Sequence, residues 1–120
     1  LEKVKAAIAD ALAHNPDKRM QDITVACLGL AFKPDIDDLR ESPAVELTQM
    51  IADLGCRVIA VEPNINALPH RLDEGNVNLG TLDEALTAAD VTCLLVKHSE
   101  FKKNAENIKK ADKLIDVIGL

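Results

Sequence analysis

Leu1, Val4, Ile8 and Leu12 recur at helical spacing with charged residues between them, which predicts an amphipathic helix over residues 1–14. Asn15-Pro16-Asp17 ends it. The pattern then changes. Residues 23–29, ITVACLG, form an unbroken β-branched run with no polar alternation, as in a strand covered on both faces. Ser42-Pro43 is a helix start, with Ser as N-cap and Pro at the first helical position. Over 43–54, Ala44, Leu47, Thr48 and Ile51 share one face, and Gly55 stops the helix. A second strand runs from Arg57 to Val61, closed by Glu62-Pro63. From there to Gly80 the chain is polar, with Asn and Gly scattered through it, and no regular element is predicted. Thr81-x-x-Glu84 is a capping box that opens a short helix to about Ala89. Val91 to Val96 is a third strand. A polar segment with a short helix near Ala105–Lys110 leads to a fourth, Lys113–Ile118.

Apolar strands separated by helices mean a parallel sheet with both faces covered. Right-handed crossovers then give an α/β, Rossmann-like sheet of about four strands in the order 2-1-3-4, with helices on both faces. No internal repeat or low-complexity linker interrupts it, so residues 1–120 read as one domain. Leu1 begins inside an amphipathic pattern with no cap before it, and Leu120 directly follows an apolar run. The chain is therefore expected to be a piece of a longer protein.

Composition narrows the function. Hydrophobic residues make up 48% of the chain, yet there are two Phe and no Tyr or Trp, so the core is aliphatic and alanine-rich. A nucleic-acid surface built on stacked rings does not fit. A net charge of −6 argues against any broad polyanion partner, leaving a single phosphate held by local cations as the anionic ligand to consider. No apolar run approaches the roughly 20 residues of a membrane span, and no signal peptide opens the chain. Cys27, Cys56 and Cys93 lack metal or redox spacing and are expected to be buried, reduced and inert. No metal site is foreseen, and the expected location is the cytoplasm.

The connection after strand one is unusually charged. LGLAFKPDIDDLRESPA, Leu28 to Ala44, holds the cations Lys33 and Arg40 among the acids Asp35, Asp37, Asp38 and Glu41. In open α/β sheets ligands bind at the carboxyl ends of the strands near the switch in strand order, which is where this loop falls. A dinucleotide fingerprint needs G-x-G-x-x-G, but Gly29 is followed by Leu30 and Ala31, and no P-loop is present. Phosphate must then be met by side chains: Arg40 as a bidentate fork and Lys33 as a point charge. The acids hold those cations or cap turns. The plainer reading is a solvated loop whose charges pair weakly. Phe32 beside the lysine, with Pro34 favouring an extended backbone before it, tilts the balance toward a site.

At these residues the sequence closely resembles the C-terminal, UDP-binding domain of the UDP-glucose/GDP-mannose dehydrogenase family. The signature runs roughly G-x-x-F-K-x-x-x-x-D-x-R-x-S-P, and Gly29, Phe32, Lys33, Asp38, Arg40, Ser42 and Pro43 match it. Glu62-Pro63 stands in place of the usual Asp-Pro, and His-Ser-Glu-Phe occupies 98–101 after an apolar run. The I-D-D-L-R-E-S-P-A wording is most similar to the branch that acts on UDP-N-acetylmannosamine.

The resemblance implies an NAD-dependent, two-step oxidation of a sugar-nucleotide C6 alcohol to a uronic acid, of the kind used in polysaccharide biosynthesis. It implies that the catalytic cysteine and lysine lie in an N-terminal NAD-binding domain and a middle domain outside this chain. Residues 1–14 would be the helix leading in from that middle domain, and the full-length protein a homo-oligomer. By position, Lys33 with Phe32 corresponds to the contact with the UDP-sugar, and Arg40 to the arginine that reaches the NAD pyrophosphate. Asp38 and Glu41 would support those cations. Glu62 is open between a ligand contact and a strand-end acid in solvent. His98 is read as a strand-end residue lining the cleft or as no site residue at all, Ser99 as a helix cap, and His14 and His70 as solvent-facing. Lys102-Lys103 and Lys109-Lys110 read as a solvated helix face. Two rival readings are a receiver-type signalling module and another non-catalytic nucleotide-binding α/β domain.

Overall fold

The computed structural model describes residues 1–31, 33–35, 38–40, 42–72, 75–111 and 113–117, without the Arg71 side chain. Five strands form its sheet: β1 (Thr24–Leu28), β2 (Arg57–Val61), β3 (Val77–Leu79), β4 (Val91–Leu94) and β5 (Leu114–Asp116). All pairings are parallel, in the order β3-β2-β1-β4-β5. The predicted four-strand order is contained in this one. β3, inside the stretch expected to be irregular, adds a fifth strand outside β2. Its three residues at a sheet edge are too short to give a periodic signal. The observed order is that of the doubly wound dinucleotide-binding fold, 3-2-1-4-5-6, through its fifth strand. Receiver-like sheets run 2-1-3-4-5, so that rival does not fit.

Alternation along β1 divides the core. Val25 and Cys27 face one side, where α1 (Glu2–His14) contributes Val4, Ile8 and Ala11, and α2 (Pro43–Asp53) contributes Val45, Ile51 and Ala52. Ala26 and Leu28 face the other, against Leu82 and Ala85 of α3 (Leu82–Ala88), Phe101 of α4 (Ser99–Lys103) and Ile108 of α5 (Ala105–Lys109). Phe101 is fully buried, and an aromatic ring in that position stabilises the fold by about 2–3 kcal/mol. Val4 and Ile8 of α1 are buried as their spacing predicts, but Leu1 is exposed and Leu12 half-buried, and Ala11 completes the buried stripe in place of Leu12.

Local signals mostly form the elements they predict. Thr81 Oγ1 accepts the Glu84 amide at 3.1 Å, and Glu84 Oε1 accepts the Thr81 amide at 3.2 Å, closing the capping box of α3. Ser42 differs. It stands at the N-cap of α2, with Pro43 after it, but its hydroxyl makes no cap; it donates to the Leu30 carbonyl at 2.6 Å. Ser42 is buried, and that carbonyl has left the sheet ladder and needs a donor. Ser99 likewise is the first residue of α4 rather than its cap, which is His98. All three cysteines are buried and unbridged. The Cys93 thiol beside it and burial push the Cys27 thiol well above its ordinary range, so it is no nucleophile.

Candidate functional site

The charged loop leaves β1 at the switch in strand order, between β2 and β4. Gly29 makes the turn with φ of 100°, and a Cβ there would lie 2.5 Å from Cβ of Val96. No side chain fits. Its amide still continues the ladder to the Val61 carbonyl at 2.8 Å. The next two amides, Leu30 and Ala31, are in the place where a glycine-rich turn would offer N–H groups to a phosphate. Both donate instead to Oε1 of Glu62, each at 2.9 Å.

Glu62 is the buried centre of the loop. Its Oε1 also accepts from Nε2 of His98 at 2.8 Å, and its Oε2 accepts the Asn64 amide and side-chain N–H, both at 3.1 Å. Five donors therefore saturate one carboxylate. Burial pushes its pKa upward, but the bonds from His98, Leu30 and Asn64 outweigh this and hold it below the ordinary glutamate value. Glu62 is thus neither a solvated acid nor a carboxylate with a lone pair to spare for ribose hydroxyls.

His98 is fully buried beneath the loop rather than lining a cleft. Its Nδ1 lies 2.7 Å from the Asp35 amide. An amide can only donate, so Nδ1 accepts and the ring proton sits on Nε2, directed at Glu62. Asp35 is held with φ of 60°, a left-handed conformation that Asp tolerates better than most residues. Its carboxylate accepts the Ser99 amide at 2.8 Å and the Ser99 hydroxyl at 2.7 Å. Those two bonds lower its pKa. Asp35 therefore ties the loop to α4 and does not hold a cation.

The outer rim is different. Lys33 is exposed and makes no hydrogen bond or ion pair with any described residue. Arg40 is also exposed, with 89% of its side chain open to solvent. Asp38 grips it in two parallel bonds, Nε to Oδ1 and Nη2 to Oδ2, each 3.1 Å, and also accepts the Arg40 amide at 3.0 Å. A guanidinium has five N–H groups, so most of the fork still faces outward. The bond to the Arg40 side chain, ahead of that to its amide, holds Asp38 below the usual carboxylate range. Phe32, Asp37 and Glu41 lie outside the described residues. A crevice of about 260 Å³ opens at the switch point between Ala31, Pro34, Pro43, Ala44, Val96 and Lys97. A wider one of about 450 Å³ lies past β2 and β3, walled by Glu62, Pro63, Thr81 and Glu84.

The sequence profile of the UDP-glucose/GDP-mannose dehydrogenase family, UDP binding domain, matches residues 26–119. The chain belongs to this family. It is 52% identical over 110 residues to UDP-N-acetyl-D-mannosamine dehydrogenase of Escherichia coli (strain K12), covering 90% of this chain and 26% of that protein. The enzyme of the same name from Yersinia pestis is 46% identical over 121 residues, covering 100% of this chain and 28% of that protein. Among solved structures, UDP-D-ManNAc dehydrogenase from Pyrococcus horikoshii superposes with a TM-score of 0.60 at 27% identity, over 93% of this chain and 25% of that one. The chain thus spans about a quarter of the length of the relatives it matches.

Among the described residues, no group of three or more His, Cys, Asp or Glu is arranged to hold a metal ion, and no helix is long and apolar enough to cross a membrane. His14 and His70 are exposed, as are Lys102, Lys103, Lys109 and Lys110. Sequence reasoning passed over the most connected residues of the region: Glu62, His98 and Asp35 as partners, with Ser42 and Ser99. One signal was available. Val61-Glu62 and Lys97-His98 place a polar residue just past two apolar strands, and the parallel order sets both beside the end of β1.

Proposed function

We propose that the chain is the UDP-sugar-facing domain of an NAD-dependent nucleotide-sugar 6-dehydrogenase, acting on UDP-N-acetylmannosamine or a close relative and yielding the uronate. The observation that carries this reading is an exposed Lys33, without a hydrogen-bond or ion-pair partner among the described residues, on a loop at the switch point, in a chain whose family match runs through that loop. Lys33, with Phe32 beside it, meets the UDP-sugar as a point charge on a flexible stem. Arg40, oriented by Asp38, reaches across the cleft to the NAD pyrophosphate, and Glu41 supports the same arm.

The chain's own residues fit NAD as an arm and not as a cradle. The two backbone amides best placed to hold a pyrophosphate already bind Glu62, whereas the Arg40 fork is open. When bound, NAD accepts the hydride in each of the two oxidations; the residues here bind and orient. No nucleophile comes from this chain, since Cys27, Cys56 and Cys93 are buried. The catalytic cysteine and lysine belong to N-terminal and middle domains to which α1 leads. The intact protein works as a cytoplasmic homo-oligomer.

Calorimetric titration of the intact enzyme with UDP tests the reading. Lys33→Ala weakens binding about tenfold, the loss of one charge-assisted contact. Equal affinity for UDP in wild type and variant would contradict it. The 120-residue chain alone shows no dehydrogenase activity.

A further inference from the structure

The buried network beneath the loop brackets one residue. Glu62 holds the Ala31 amide two residues before Lys33, and His98 holds the Asp35 amide two residues after it. Glu62 and His98 also bind each other at 2.8 Å, so the two clamps form one unit spanning the carboxyl ends of the strands on either side of β1. Further ties run from Ser42 to the Leu30 carbonyl and from Ser99 to the Asp35 carboxylate. Lys33, alone in the middle, has no tie of its own among the described residues.

From this we infer that Glu62 and His98 are positioning residues for Lys33: they fix the backbone on both sides of it and so set where its ammonium meets a ligand phosphate. The inference rests on the reading of Lys33 as a sugar-nucleotide contact. Neither residue touches ligand, because both carboxylate oxygens and both ring nitrogens are engaged inside the protein. The fit is chemical as well as geometric. Imidazole is one of few side chains that accept from a backbone amide on one edge while donating to a carboxylate on the other. A left-handed Asp35 is a conformation that persists only when its surroundings over-determine it, and His98 and Ser99 do so.

A purely structural role is separable from positioning. Partial unfolding removes active enzyme and lowers kcat at unchanged KM, whereas a displaced Lys33 raises KM for the UDP-sugar. Two substitutions split the clamp. His98→Gln places its amide group near Nε2 and keeps a donor for Glu62 but loses the acceptor for the Asp35 amide. His98→Asn places an oxygen near Nδ1 and keeps that acceptor. In the intact dehydrogenase, His98→Gln raises KM for the UDP-sugar about tenfold, and His98→Asn recovers most of this.

The deciding arm is the cycle with Lys33→Ala. If His98 acts through Lys33, His98→Gln adds less than about twofold to KM once Lys33 is already alanine. Multiplicative effects of the two changes, or a His98→Gln variant that alters kcat alone, would overturn the inference while leaving Lys33 as a contact. If Lys33→Ala itself leaves KM unmoved, the functional reading fails and the inference falls with it. Should His98→Gln not fold, Glu62→Asp gives the same cycle from the other half of the clamp.

Discussion

The two halves of the charged loop are built on opposite principles. Its underside is a buried hydrogen-bond network in which Glu62, His98, Ser42 and the Leu30, Ala31 and Asp35 backbone groups satisfy one another. Its rim is Lys33, which has no partner among the described residues, and Arg40, held by the half-buried Asp38. Buried networks are expensive to break, because each orphaned group loses its partner and has no water to replace it. Exposed ion pairs contribute little to stability. The underside therefore holds the fold, and the rim is free to be spent on a ligand.

The sharpest way to break the contrast is on the buried side. Glu62→Ala strands the Leu30, Ala31 and Asn64 amides and the His98 ring proton, and is expected to cost about 3–5 kcal/mol in urea unfolding. That is a large share of a domain's typical 5–15 kcal/mol. Gly29→Ala follows at about 2–4 kcal/mol, from a positive φ and a Cβ driven into Val96. Glu62→Gln keeps one acceptor oxygen but sets an amide N–H₂ against the Asn64 donors, and costs about 1–2 kcal/mol.

Acid tests the same carboxylate without a large mutation. Glu62 is held below its ordinary value of 4.5, so its contribution is complete above that value and is lost as pH falls through the lower folded value. Wild type should lose stability across that window, and the Glu62→Gln curve should be flatter there. On the rim the expected stability effect is nil. Asp38→Ala and Lys33→Ala leave the thermal midpoint unchanged within error, while Asp38→Ala raises KM for NAD a few-fold by freeing the Arg40 fork. A rim substitution that unfolds the domain, or a neutral Glu62→Ala, would erase the distinction.

How far the sequence alone reaches follows the same division between local and tertiary cause. The Thr81–Glu84 capping box, the Ser42-Pro43 helix start and the apolar runs of β1, β2 and β4 are set within a few residues, and each yields its element. β3 escapes notice because Val77, Asn78 and Leu79 become a strand only by pairing with Val58, Ile59 and Ala60. The site divides likewise. Lys33 and Arg40 stand out as cations beside a strand end, and the family motif names them. Glu62 and His98 look like unrelated strand-end residues until the parallel order places both against β1. Ser42 reads as a cap because nothing local reveals that the Leu30 carbonyl lacks a partner.

On the proposed reading, the loop's rim divides two ligands between two cations. Steady-state kinetics of the intact dehydrogenase, with Lys33→Ala and Arg40→Ala each titrated against UDP-sugar and against NAD, test it most directly. A crossed result is expected: Lys33→Ala raises KM for the UDP-sugar about tenfold and leaves KM for NAD within about twofold, and Arg40→Ala does the reverse. If the two variants shifted both constants alike, or shifted neither, the claim would be contradicted.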